Sequence, residues 1–144
     1  MSMTELLRES LSLPALTGGL LPISVNGQTN TGTIDMKLFN RATFLISLGL
    51  GVATGNIVLQ AGNNADGSSA TTIAGCNIAY TANSKVYAVE CRSDQISFYR
   101  YVKANIITDG ACLVSAVGIG AIPRYSPANA YYNASVGTRA AANT

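Results

Sequence analysis

The sequence predicts an all-β protein: an antiparallel β-sandwich or barrel of about seven strands, with a short N-terminal helix before it and an extended C-terminal tail after it. Three observations predict this. Apolar and polar residues alternate with period two along several short segments between residues 33 and 119. Turn-forming residues separate those segments at short, regular intervals. Finally, 144 residues give room for one domain with a real hydrophobic core, and 48% of them are apolar.

The elements follow in order. Residues 1–13 place Leu6, Leu7 and Leu11 close together on a helical wheel, with Thr4 as N-cap and Pro14 as the stop. So short a helix is marginal alone in water, so its leucine stripe requires a partner surface, on this domain or on a neighbour. Residues 14–33 read as a connector holding a short strand at 20–25. Strands are then predicted at 33–38, 42–48, 56–61, 72–80, 85–92, 97–107 and 112–119. In the second of these, Phe44, Ile46 and Leu48 share one face and Thr43 and Ser47 the other. In the sixth, Phe98, Arg100, Val102 and Ala104 oppose Tyr99, Tyr101, Lys103 and Asn105. Asp109-Gly110 between two apolar runs predicts a hairpin, because Asp-Gly suits a turn that needs positive φ. Residues 42–61 are apolar enough to resemble a membrane span, but Gly49, Gly51, Gly55, Asn56 and Gln60 divide them into two strands and a turn. The resulting organisation is an arm at 1–18, a β domain at 19–125 and a tail at 126–144. The tail has no sustained apolar period, and Tyr125, Tyr131 and Tyr132 are its natural anchors on a partner.

Charge and chemistry narrow the function. Only 11% of residues are charged, against roughly 25% in an ordinary soluble domain, so Ser, Thr, Asn, Gly and Ala must cover the surface. Such a surface is cheap to desolvate against a protein partner. The net charge is +2, and the nine basic residues never adjoin, which argues against nucleic acid. There is no histidine, which removes Ser-His-Asp and Cys-His catalysis and the commonest metal ligand. Glu90 lies inside the predicted strand at 85–92, and pairing with a basic neighbour such as Arg100 across the sheet is its expected role. No phosphate-binding or dinucleotide fingerprint occurs, and Asp66-Gly67-Ser68 reads as a turn in place of a calcium loop. Cys76, Cys91 and Cys112 are odd in number and lack metal-ligand spacing, so buried reduced thiols are expected. Residues 1–13 lack the basic start and long apolar stretch of a signal peptide, so export by that route is not expected. The reading is a non-enzymatic protein without cofactors or metal, binding other proteins and not a membrane or a small-molecule substrate.

The series Ile34-Asp-Met36, Arg41-Ala-Thr-Phe-Leu-Ile-Ser-Leu-Gly49 and Asn56-Ile-Val-Leu-Gln-Ala61, leading into the polar loop at 63–69, resembles the small auxiliary head proteins of tailed bacteriophages. Lys85-Val-Tyr-Ala-Val-Glu-Cys-Arg92, Phe98-Tyr-Arg-Tyr-Val-Lys-Ala104 and the run from Leu113 to the Pro-Arg-Tyr125 exit continue the likeness, which spans about residues 33–127. The resemblance implies a capsid decoration or cement protein, made in the host bacterial cytoplasm and carried on the virion. It would bind the major capsid protein and copies of itself, as a trimer in preference to a dimer, and bridge neighbouring capsid subunits. The partner-binding residues would be those of the arms: Leu6, Leu7, Leu11, Arg124, Tyr125, Tyr131 and Tyr132. The chain departs from that pattern in its few acidic residues and its Ala/Asn-rich tail. The alternative is a receptor- or glycan-binding module of a phage tail, neck or fibre, which would use loop aromatics.

Overall fold

A computed structural model describes residues 15–16, 18–51, 54–82, 84–96 and 98–123. Among them are ten strands and one short 3-10 turn: β1 (Ala15–Leu16), β2 (Leu20–Val25), β3 (Gln28–Asn30), β4 (Ile34–Asp35), β5 (Phe39–Gly51), β6 (Gly55–Gly62), β7 (Thr71–Tyr80), β8 (Lys85–Arg92), β9 (Tyr101–Thr108) and β10 (Cys112–Pro123), with the turn at Ser93–Gln95. The all-β antiparallel character predicted from sequence is what the structure shows. The expected N-terminal helix and the tail lie outside the described residues.

The strands form two five-stranded sheets. One runs β1-β10-β5-β8, with β2 also on β10; the other runs β3-β9-β6-β7, with β4 also on β9. β2 pairs with β10, β3 with β9, β5 with β8 and β6 with β7, each antiparallel. The chain is thus one long hairpin whose tip is the loop at 63–70, folded over so that each of its two halves passes back and forth between the two sheets. Pairing of β5 with β10 and of β6 with β9 completes the sheets. Only β6 and β7 are consecutive strands bonded to each other; among the described residues every other link between successive long strands crosses from sheet to sheet.

Both sheets contribute to one core. Phe44, Ile46 and Leu48 of β5, Val102 of β9 and Val114 of β10 are all buried, as the alternation predicts. Phe39, Ile57, Leu59 and Ile106 join them, each with almost no exposed surface. Burial of this many large side chains is the main stabilising term, at roughly 1.5–3 kcal/mol for each one enclosed. Gly120 is a close-approach position, because a Cβ there would lie 2.6 Å from a ring carbon of buried Phe39.

Four sequence expectations are corrected. The strand at 33–38 is only the bridge Ile34–Asp35, since Met36 to Leu38 turn back, with Leu38 N–H donating to the Asp35 carbonyl. Gly49-Leu50-Gly51 is the end of β5 and not a turn. Asp109-Gly110 makes no hairpin, for β9 and β10 belong to different sheets and neither residue has positive φ. Asp109 instead ties that link to the β5–β6 link: its N–H donates to the Thr54 carbonyl, and its carboxylate accepts from Thr54 Oγ1 at 2.7 Å. Lastly, β9 begins at Tyr101, so Phe98 and Arg100 belong to the preceding loop.

Candidate functional site: an apolar sheet face and an aromatic loop

The outer face of the β1-β10-β5-β8 sheet is built by the residues that alternate with the core set. Its register gives successive cross-strand rows: Val86, Ser47 and Ser115; then Ala88, Leu45 and Val117; then Glu90, Thr43 and Ile119; then Arg92, Arg41 and Ala121. The first two rows hold no charge. Val86 is 66% exposed, Leu113 49% and Val117 45%. Exposed apolar side chains gathered on one face mark an interaction surface.

At the end of this face near Ser84 the surface dips into an open groove of about 440 Å³, lined by Pro22, Ile23, Leu113, Val86 and Gly49, with Lys85 as its one charged lining residue. Gly49 keeps the floor low. A Cβ there would sit 3.2 Å from the Leu113 Cβ.

The outer face of the other sheet differs in kind. Its rows read Gln28, Ile107, Asn56 and Ala79; Asn30, Asn105, Val58 and Asn77; and Lys103, Gln60 and Thr72. Asn105 donates from Nδ2 to Asn30 Oδ1 at 2.8 Å, which satisfies its buried amide within the sheet. One face is therefore rich in side-chain amides, while the centre of the other is apolar.

The charged end of the apolar face is also where the described chain begins and ends. Ala15 pairs with Gly120 and Pro123 with Phe39, so 1–14 and 124–144 both attach there. Arg41 and Arg92 oppose each other directly in that last row, an unfavourable placement that the exposed Arg92–Asp94 pair at 3.3 Å only partly offsets. Arg41 Nε is buried with no hydrogen-bond partner among the described residues.

The link from β8 to β9 runs past the same end. Arg92 N–H donates to Gln95 Oε1, Ile96 is buried as an anchor, and Arg100 N–H donates to the Gly62 carbonyl. The Arg100 guanidinium binds both Asp35 oxygens at 2.9 and 2.7 Å, and its carbon lies 4.9 Å from the Tyr101 ring centroid. This tethered loop holds Phe98 out at 98% exposure, with Tyr99 also exposed. The sequence sets Phe98 on one strand face with Arg100, Val102 and Ala104; it lies instead in the link that crosses from β8 to β9, ahead of the strand. The expected Glu90–Arg100 pair is likewise replaced: Glu90 accepts from Thr43 Oγ1 at 3.4 Å, and Arg100 belongs to Asp35.

Partial burial works to raise the Asp35 carboxyl, but the Arg100 hydrogen bond, the Lys37 N–H and both positive charges outweigh it and hold the group below its ordinary value. Cys76, Cys91 and Cys112 are buried free thiols. Burial pushes Cys91 up to about 12 and raises the other two. Tyr80, also raised to about 12 by burial, donates to the Ile107 carbonyl. No three His, Cys, Asp or Glu side chains converge among the described residues. No helix among them is long and apolar enough to cross a membrane.

The predicted partner-binding residues Leu6, Leu7, Leu11, Arg124, Tyr125, Tyr131 and Tyr132 all lie outside the described residues. What the structure adds is where their segments attach, and the two surfaces, apolar face and aromatic loop, that lie in the domain itself. The face was legible as the polar-side positions of β5, β8 and β10, several of which are Leu, Val or Ala.

No family model matches the chain, and no curated protein matches its sequence. Similar solved structures are the SPBc2 prophage-derived protein YomS, at 10% identity and TM-score 0.43 over 76% of this chain and 97% of that one, and a pilus-forming Bacillus endospore appendage protein, at 11% and 0.39 over 76% and 91%. A chain from the structure of infectious bursal disease virus strain Gt is similar at 10% identity and TM-score 0.42, where this chain covers 83% of itself but 34% of that chain.

Proposed function

We propose that this chain is a virion structural protein: a capsid decoration or cement protein that binds the outside of a phage head and bridges neighbouring capsid subunits, with no catalytic role. The observation that carries the reading is the apolar, uncharged centre of one outer sheet face around Val117, Leu45 and Ala88, set against the amide-rich face opposite. Charge-free surface desolvates cheaply, and interface cores are charge-depleted for that reason. The folded long hairpin supports it, since this pairing order is that of a two-sheet jelly-roll sandwich, an architecture of viral capsid and lectin domains. Attachment of both chain ends at one edge of the apolar sheet suits arms that clasp the subunits on which the face rests.

The test is co-sedimentation of the full chain with undecorated heads. Wild type should occupy them, and Val117→Asp, a change at an exposed site that leaves the fold intact, should cut occupancy about tenfold or more, because many copies act together. Heads left bare by the wild type, or fully occupied by Val117→Asp, would refute the reading.

A second reading rests on Phe98 and Tyr99, which the tethered loop presents to solvent. Such aromatics suit a receptor or glycan in a phage tail, neck or fibre. Specific sugar binding on a glycan array, lost in Phe98→Ala, would favour it over the capsid role.

A further inference from the structure

We propose that Asn26 is a modification site, where non-enzymatic deamidation converts the side-chain amide to an acid, and that the hydroxyl of Thr108 sets the rate. The inference is independent of the capsid reading. The chain holds three Asx-Gly steps: Asn26-Gly27, Asp66-Gly67 and Asp109-Gly110. In such a step the glycine nitrogen can attack the preceding side-chain carbonyl, because glycine has no Cβ to block the approach. At two of the three the structure occupies the reacting groups. Asp66 accepts from the Ser68 N–H at 2.8 Å, while Gly67 is buried and donates its own N–H to the Asn64 carbonyl. The Asp109 carboxylate accepts from Thr54 Oγ1. A carboxylate is also a poorer electrophile than an amide. Asn26 differs on both counts. It is exposed, and its side-chain amide has no hydrogen-bond partner among the described residues. A Cβ built on Gly27 would meet nothing within 4 Å, so the approach to its nitrogen is open.

What holds that nitrogen back is Thr108. Its Oγ1 accepts from the Gly27 N–H at 3.1 Å, its own N–H donates to the Gly27 carbonyl at 2.6 Å, and Thr108 is itself buried, so the glycine is clamped to a fixed residue. In the reaction the Gly27 nitrogen gives its proton to solvent and attacks Asn26 Cγ. The N–Cγ bond forms, the Cγ–Nδ2 bond breaks, and ammonia leaves with a proton returned by solvent. Water then opens the succinimide at either carbonyl, leaving aspartate or isoaspartate in place of the asparagine. The bond to Thr108 Oγ1 must open before the nitrogen can attack, so a local opening precedes the chemistry. The product matters to the fold because Asn26 and Gly27 are the whole link from β2 to β3. Val25 before them pairs with Cys112 in one sheet, and Gln28 after them pairs with Ile107 in the other. Isoaspartate routes the main chain through Cβ and so lengthens that crossing, and either product adds a negative charge.

The test ages full-length wild type, Thr108→Val and Thr108→Ser in mildly alkaline buffer and follows acid at position 26 by peptide mass spectrometry. Wild type unfolded in urea gives the rate without the clamp. Folded wild type should react more slowly than the unfolded chain. Thr108→Val keeps the side chain's shape and the backbone bond but removes the acceptor, and should speed the folded reaction roughly two- to tenfold, the range that one net hydrogen bond is worth. Thr108→Ser keeps the acceptor and should stay near the wild-type rate. Circular dichroism and melting temperature report whether each variant folds, and a low-urea series separates the two routes to reaction. A Thr108→Val rate unchanged by low urea is reaction through local opening and supports the proposal, whereas a rate that rises with the unfolded fraction overturns it. Equal rates in folded wild type and Thr108→Val, a Thr108→Ser rate as fast as that of Thr108→Val, or no acid at position 26 in any folded protein overturns it as well.

Discussion

Gly120→Ala tests whether the two halves of the folded hairpin are packed as tightly as the structure shows. Gly120 faces inward from β10, and a Cβ on it would lie 2.6, 2.7 and 2.7 Å from three ring carbons of Phe39. Carbon atoms pack comfortably at about 3.5–4.0 Å, so roughly 1 Å must be found. Phe39 cannot supply it by swinging outward, for it is 1% exposed and enclosed by the core. Overpacking of this kind costs about 1–3 kcal/mol. In a domain near a hundred residues that lowers the melting temperature by roughly 4–8 °C per kcal/mol. With no tryptophan and seven tyrosines in the chain, far-ultraviolet circular dichroism during thermal and urea unfolding is the suitable assay. The decisive control is the double-mutant cycle with Phe39→Leu, which removes the ring that is struck. Gly120→Ala should cost less in the Phe39→Leu background than in the wild type. A loss under about 0.5 kcal/mol in the wild type, or an equal loss in both backgrounds, would show that the contact is not the one described.

Phe44→Ala, at a fully enclosed side chain of β5, should destabilise by ~3–5 kcal/mol; a loss under about 1 kcal/mol would mean the sheet's faces are reversed. Cys76, Cys91 and Cys112 should resist a thiol reagent at pH 8 in the native protein and react only on unfolding, because burial both shields them and raises them; one fast native thiol would refute this. The Asp35 carboxyl is held below its ordinary 3.8, so its stabilisation is present above that pH and is lost as pH falls through the lower folded value. Asp35→Asn should therefore cost about 1 kcal/mol at pH 7 and progressively less in acid, and an equal deficit at pH 7 and pH 2.5 would contradict the assignment.

Much of the fold was legible because local chemistry decides it. Period-two alternation placed Phe44, Ile46 and Leu48 inside and Thr43 and Ser47 outside, as found, since successive strand side chains must point to opposite faces. It also divided residues 42–61 into two strands, now β5 and β6. What could not be read is which strands pair, because that depends on contacts far apart in sequence. Asp109-Gly110 has the composition of a hairpin, yet β9 and β10 seek partners in different sheets, and the link serves as an arch tied to Thr54. Arg100 lies ten residues from Glu90 but bonds Asp35, 65 residues away. Phe98 continues the apolar alternation of β9 on paper, while the chain there is still crossing from β8. The candidate site was half visible for the same reason. Leu45, Val86 and Val117 were readable as strand residues on the outward side, but only the register sets them in adjoining rows.

The sheet edges favour a face over an edge as the place for the proposed contacts. An open edge offers unpaired N–H and C=O groups to any strand, so sheet proteins blunt it. In the apolar sheet, β2 is interrupted where Leu21 and Pro22 together oppose Ser115, and Pro22 has no N–H to give. On the other side β8 starts at Lys85 and ends at Arg92, charges that oppose a flat, sliding addition. In the second sheet, β7 bulges at 73–76 opposite Leu59 alone, with Gly75 at φ +79. Backbone pairing is thus discouraged on three of the exposed edges while Val86, Leu113 and Val117 stay open on the face. Side chains read a partner's shape, whereas an edge accepts any strand. The proposed contacts require a fixed geometry without polymerisation, and such a face meets that requirement better than an edge does.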